Sequence, residues 1–102
     1  MIPKIIHFCW FSGEEKPALV RKCLASWRRF CPDWEIVEWT LARIETEVVR
    51  CGTVPPQFFR DAIAARKWAF AADWVRFAAL KTCGGVYFDY DFELVKSIEE
   101  LP

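Results

Sequence analysis

The chain has 102 residues, 54% of them hydrophobic and 17% aromatic, which is enough for one domain with a real core and too little for two. Fourteen basic residues balance fourteen acidic ones, and no basic run exceeds Arg28-Arg29, so the charge pattern carries no footprint for nucleic acid. The same composition excludes the weakly hydrophobic, highly charged class that stays disordered.

Lys4 to Phe11 (KIIHFCWF) is a nearly continuous apolar run, the pattern of a strand buried on both faces of a parallel sheet. Ser12-Gly13 breaks it. Pro17 then suits the first turn of a helix in which Leu19, Cys23, Leu24 and Trp27 recur at helical spacing among Arg21, Lys22, Arg28 and Arg29, ending near Cys31-Pro32. Trp34 to Trp39 (WEIVEW) alternates and reads as a second strand, so the chain opens as a βαβ unit.

Thr40 to Val49 is read as a short helix before the break at Cys51-Gly52-Thr53-Val54-Pro55-Pro56. From Gln57 to Cys83 one long helix is expected, with Ile63, Trp68, Ala71, Val75 and Ala79 at helical spacing and Gly84-Gly85 as its stop. Val86 to Leu94 then alternates with period two: Phe88, Tyr90, Phe92 and Leu94 on one face, Asp89, Asp91 and Glu93 on the other. Ser97-Ile98-Glu99-Glu100 fits the capping box that opens a helix, yet Pro102 follows at once; the expectation is the N-terminal part of a longer protein.

The five cysteines (Cys9, Cys23, Cys31, Cys51, Cys83) form no C-x-x-C pair and sit mostly in apolar segments, as reduced core residues of a cytosolic protein would. With His7 the only histidine, a zinc site is not expected. Neither a signal sequence nor an apolar run of the ~20 residues needed to span a membrane is present. The expected location is cytoplasmic, or peripheral at the inner membrane.

Three groups of residues carry chemistry. Asp89 and Asp91, alternate residues of a strand, lie ~6.5 to 7 Å apart on one face, within reach of one hard cation whose ligand bonds are ~2.0 to 2.6 Å. Mg²⁺ favours such a site, with phosphate oxygens and water completing its shell. An isolated D-x-D is more often the wetted side of a half-exposed strand. Asp73 and Arg76, three apart, share a helix face; the bland alternative is a weak ion pair worth ~0.2 to 0.5 kcal/mol. Their neighbours Trp68, Phe70, Trp74 and Phe77 suggest a place where solvent is scarce and polar groups need partners. His7 reads as a hydrogen-bonded core histidine. Trp10, at the carboxyl end of the first strand, reads equally as core or as a stacking surface for a nucleobase.

In order and spacing, IPKIIHFCWFSG, SWRRFCPDWEIVEW and AFAADWVRFAALKTCGGVYFDYDFELVKSIEEL resemble one family over almost the whole chain. It is the glycosyltransferases with a DXD-containing sugar-binding region: bacterial capsular polysaccharide synthesis enzymes, related to fungal initiating mannosyltransferases and large clostridial glucosylating toxins. The most specific block is D-W-V-R-x-x-x-L-x-x-x-G-G-V-Y-x-D-x-D, from Asp73 to Asp91.

The resemblance implies a Rossmann-like α/β fold of the GT-A type. It also implies retaining, metal-dependent transfer of a hexose from a UDP- or GDP-sugar to a saccharide acceptor in surface polysaccharide synthesis. Asp91 would ligate Mn²⁺ or Mg²⁺ directly, and Asp89 would approach the donor and reach the metal through water. Asp73 and Arg76 would hold the sugar hydroxyls, and Trp10 would stack on the base. Tyr90, between the acids, departs from the small or β-branched residue usual there. The family's further acceptor-binding portion has no counterpart in these residues, so the expectation is the donor part of the enzyme, with little transfer alone and a tendency to self-associate through exposed core. Two other classes stay open: a non-catalytic nucleotide-sugar or metal-binding module, and a plain α/β structural domain.

Overall fold

A computed structural model of the chain describes residues 2–44, 46 and 55–97. Strand β1 (Ile5–Cys9) is the middle of a three-stranded parallel sheet of order β2-β1-β3, flanked by β2 (Glu35–Trp39) and the very short β3 (Val86–Tyr87). β2 runs in register with β1 from Ile5 opposite Glu35 to Cys9 opposite Trp39, and β3 pairs only Val86 with Ile6 and Tyr87 with His7. A central strand with helices on both faces must be apolar on both sides, and the continuous IIHFC run meets that demand.

Helix α1 (Ala18–Phe30) follows Pro17 and covers one face. There Ile6 and Phe8 pack with Val20, Leu24 and Trp27, the rings of Phe8 and Trp27 meeting edge-on at 5.5 Å. Leu19, expected on this apolar stripe, is exposed, and Val20 is the buried residue instead. Arg28 and Arg29 in the last turn lie where the helix dipole favours cations. The opposite face, bearing Cys9 and Val37, packs against α3 (Gln57–Ala64) and α4 (Trp68–Cys83).

The expected single helix over Gln57 to Cys83 is two. Arg66 adopts a left-handed φ of 57°, with its N–H bonded to the Ile63 carbonyl at 3.0 Å and the Lys67 N–H bonded to the Ala62 carbonyl at 2.8 Å. This pair of bonds is the Schellman ending of a helix, formed here without the usual glycine. The expected helix over Thr40 to Val49 is seen as the single turn α2 (Leu41–Arg43), capped by Thr40 Oγ1 accepting from the Arg43 N–H at 3.2 Å. Its continuation through 45 and 47–50, Cys51, and Ile98 to Glu100 of the capping box lie outside the described residues.

α4 is apolar nearly all round, but the stripe it buries consists of small residues, Ala71, Val75, Ala78 and Ala79, which let the helix lie close to the sheet. Its large aromatics Phe70 and Phe77 are left 63% and 65% exposed, and Asp73 and Arg76 are exposed too. The expectation that solvent is scarce around this pair is therefore wrong. Of the described cysteines, Cys9, Cys23 and Cys31 are buried, whereas Cys83 is exposed. Among the described residues no helix is long and apolar enough to cross a membrane.

Candidate donor and metal site

Strand order changes direction around β1: the chain leaves it through α1 to reach β2 on one side, and β3 arrives from α4 on the other. In open parallel sheets the crevice beyond the carboxyl ends of strands at such a switch point is where ligands bind. A cavity of about 560 Å³ lies here, walled by Trp10 and Glu14 after β1, by Asp73 and Arg76 of α4, and by Asp89 and Asp91 after β3. Its size falls in the ~300 to 1,000 Å³ span of small-molecule sites.

The carboxylates arrive there by a different route from the one the alternation suggests. β3 stops at Tyr87, and after Phe88 the backbone turns, with the Phe92 N–H donating to the Asp89 carbonyl at 2.9 Å. The expected strand through Leu94 does not form, and the two-faced pattern fails with it. Asp89, Tyr90 and Asp91 all line the one cavity, while Glu93 lies at α1 with its carboxylate 3.7 Å from Lys22. A turn exposes three successive side chains on one rim, which a pleated strand does not.

Several long-range contacts hold this acid turn. Gly84 and Gly85 have φ of 73° and 93°, and a Cβ on Gly85 would stand 2.4 Å from the Ile5 carbonyl oxygen, so only glycine lets β3 come alongside β1. From α1, Trp27 Nε1 donates to the Phe92 carbonyl at 2.7 Å, and the buried Ser26 hydroxyl accepts from the Leu94 N–H at 2.9 Å. Ser26 and Trp27 are not marked by any local motif. Their signal is a serine inside a buried helix stripe, bonded to the Cys23 carbonyl at 2.6 Å.

Trp10 is half-buried and fixed on several sides. Its indole N–H donates to the Glu14 carbonyl at 2.9 Å, and the Lys16 ammonium lies over its ring at 5.6 Å. Lys16 is itself held by Glu38 of β2 at 2.7 Å. The Tyr90 ring meets Trp10 edge-on at 5.3 Å. The indole is thus neither plain core nor loose surface; it is a braced wall of the cavity.

Asp73 and Arg76 form the expected i, i+3 pair at 3.6 Å, and the Arg76 guanidinium also lies 6.0 Å from the Tyr87 ring. A pair this exposed contributes little to stability, about 0 to 1 kcal/mol, so its position on the cavity wall matters more than its strength. Cys9 also lines the cavity, but burial pushes its thiol up to about 12, only partly offset by a hydrogen bond to Tyr87, so it stays protonated and inert. Burial likewise raises the Tyr87 phenol, with Cys9 adding to it.

His7 is in the core, as expected. Trp39 Nε1–H donates to its Nδ1 at 3.0 Å, which makes Nε2 the protonated nitrogen that donates to the Gly84 carbonyl at 2.8 Å. Burial lowers its pKa below the ordinary 6.5.

The donor set suits a divalent cation held jointly with a ligand. Asp89 and Asp91 present exposed, hard oxygen donors to the cavity, and among the described residues neither carboxylate is in an ion pair. Among those residues no group of three or more His, Cys, Asp or Glu side chains could hold a metal ion, so a cation at Asp89 and Asp91 would need phosphate and water for its remaining ligands. The lining carries Glu14, Asp73, Asp89 and Asp91 against the single cation Arg76, an excess of acid that repels a bare diphosphate.

A doubly wound parallel sheet with a polar crevice at its switch point defines an α/β domain of the Rossmann-like class. The family model described as "Glycosyltransferase sugar-binding region containing DXD motif" matches residues 17–102, and the chain belongs to that family. Asp73, Arg76, Asp89 and Asp91 lie within the matched region, and Trp10 precedes it. Among solved structures the fold is similar to "PaToxG Glycosyltransferase", with a TM-score of 0.74 and 20% identity over 95% of this chain. The chain spans 45% of the length of that structure. No curated protein matches the sequence. The expected Rossmann-like, GT-A type α/β fold is therefore the one observed.

Proposed function

We propose that this chain is the donor-binding part of a glycosyltransferase that uses a divalent cation to hold a nucleotide-diphosphate sugar. The observation that carries the reading is that Trp10, Asp73, Arg76, Asp89 and Asp91 line one cavity at the carboxyl ends of β1 and β3. In this reading Asp91 would ligate Mn²⁺ or Mg²⁺, Asp89 would approach the donor and reach the metal through water, Asp73 and Arg76 would take the sugar hydroxyls, and Trp10 would stack on the uracil or guanine. The cation, when bound, neutralises the diphosphate leaving group as a Lewis acid. The protein's own groups orient the donor beside it. The acid excess in the lining supports this requirement, because a diphosphate cannot settle against four carboxylates without added positive charge.

Transfer to a saccharide acceptor, retention of configuration, a hexose as the transferred sugar and a place in surface polysaccharide synthesis rest on the family resemblance. Donor binding without transfer is a second reading, since the lining at Trp10, Asp73, Arg76, Asp89 and Asp91 accounts for holding a donor and includes no group assigned to an acceptor. Self-association is supported by the exposed aromatics Phe58, Phe70 and Phe77 of α3 and α4.

Calorimetric titration of the purified chain with UDP- and GDP-sugars, with and without Mn²⁺ or Mg²⁺, tests the donor site. Binding of one donor that depends on the cation supports it. Absence of donor binding at saturating cation overturns it. Slow, cation-dependent release of free sugar separates the catalytic reading from the binding-only one.

A further inference from the structure

The aromatic residue between the two acids has no part in the donor-site reading, yet it makes the ring contact that crosses from the acid turn to the opposite wall. Tyr90 belongs to the turn closed by the Phe92 N–H and Asp89 carbonyl, and its ring stands edge-on to Trp10 at 5.3 Å and 86°. The other braces on Trp10 come from elsewhere: the Glu14 carbonyl and Lys16 from the loop after β1, with Glu38 of β2 behind Lys16.

We propose that Tyr90 is a positioning residue that couples cation binding at Asp89 and Asp91 to nucleobase binding at Trp10. This rests on the donor-site reading given above. Without a cation, Asp89 and Asp91 repel each other, while the turn that carries them is held by the Trp27 bond to the Phe92 carbonyl, by the Phe92 ring on Phe88 at 4.8 Å and by Tyr90 against Trp10. A cation bound by these carboxylates draws the turn together. Tyr90, fixed between them, then presses its ring against the indole, and a platform already ordered has less freedom to lose when a base stacks on it. Such coupling is reciprocal, so the base must strengthen cation binding by the same factor.

A free nucleoside isolates the effect, since it has no phosphate to touch the cation and any linkage must pass through the protein. The expected result is that uridine or guanosine binds about fivefold more tightly at saturating Mg²⁺. The Trp10 indole N–H resonance, assigned through Trp10→Phe, should shift along the Mg²⁺ titration. Tyr90→Val should still bind Mg²⁺ but lose both the enhancement and the indole shift, and Tyr90→Phe, which keeps the ring edge, should retain both. A wild-type nucleoside affinity that ignores Mg²⁺, or a Tyr90→Val protein that keeps the enhancement, overturns the coupling while leaving the donor site standing. If the wild-type chain binds neither Mg²⁺ nor UDP nor GDP, the donor-site reading itself falls, and the coupling with it.

Discussion

His7 Nε2 donates to the Gly84 carbonyl at 2.8 Å, so a single hydrogen bond joins the central strand to the glycine that ends α4. With Trp39 donating to its other nitrogen, the ring is neutral by construction: a second ring proton would face an N–H. The folded-state pKa is lowered below 6.5, so the unfolded chain binds the proton more readily. The stability contributed by neutral His7 is present in full above the unfolded value and is lost progressively as the pH falls below 6.5 toward the lowered one. Urea midpoints measured from about pH 7.5 down to about pH 5 should fall for the wild type. The His7→Asn protein should be weaker throughout by about 2 kcal/mol, from unpaired buried groups, but should fall less steeply. Parallel curves would count against His7 as the sensor, and no second histidine competes for the assignment.

Gly85 is the close approach between β3 and β1. Gly85→Ala should destabilise the chain by roughly 2 to 4 kcal/mol, through a strained positive φ and a contact with the Ile5 backbone that no side-chain rotation relieves. Chemical denaturation measures this directly. Gly13 also has a positive φ, of 74°, but a Cβ there meets nothing within 4 Å, so Gly13→Ala should cost about 1 kcal/mol and serves as the comparison.

Trp27 braces the acid turn directly from α1, its ring also meeting Phe88 at 5.3 Å. Trp27→Phe keeps most of the buried ring but leaves the Phe92 carbonyl without its indole donor, a loss of about 1 to 3 kcal/mol. Because that carbonyl follows Asp91 directly, Mg²⁺ affinity should also fall severalfold, which a packing defect remote from the turn would not cause. Unchanged cation affinity in a folded Trp27→Phe protein would separate the brace from the site.

Asp91→Asn keeps the size of the side chain and removes its charge. In a complete enzyme carrying this region, turnover should drop by at least ~10²-fold, corresponding to ~3 to 4 kcal/mol of lost electrostatic stabilisation. In the present chain the same change should abolish cation-dependent donor binding. Near-normal turnover with intact cation dependence would remove Asp91 from the role given to it.

Some features are local enough to read along the chain. β1, α1 and β2 follow from an unbroken apolar run, a helical stripe and an alternating segment, because a strand buried on two faces and a helix buried on one impose those patterns on their own residues. The spacing of Asp73, Arg76, Asp89 and Asp91 alone favours a weak ion pair and a wetted strand side, and it is the resemblance of the whole Asp73 to Asp91 block to one family that makes them site candidates; His7 reads as core from its apolar surroundings.

What the tertiary structure decided was where those patterns stop and what they face. The alternation of FDYDFEL reads as strand, but a strand persists only where a neighbour accepts its hydrogen bonds, and β3 meets just Ile6 and His7 of β1. Beyond them the turn, pinned by Trp27 and Ser26 more than 60 residues earlier in the chain, gathers Asp89, Tyr90 and Asp91 onto one rim. The helix break at Arg66 has no glycine to announce it, and α4, apolar nearly all round, turns its alanines inward because the sheet demands a close approach. The sequence by itself determined which residues hold charge and which prefer burial. Long-range packing against β1 and α1 determined that an acid pair, an arginine and an indole share one cavity, since no local rule relates residues so distant in the chain.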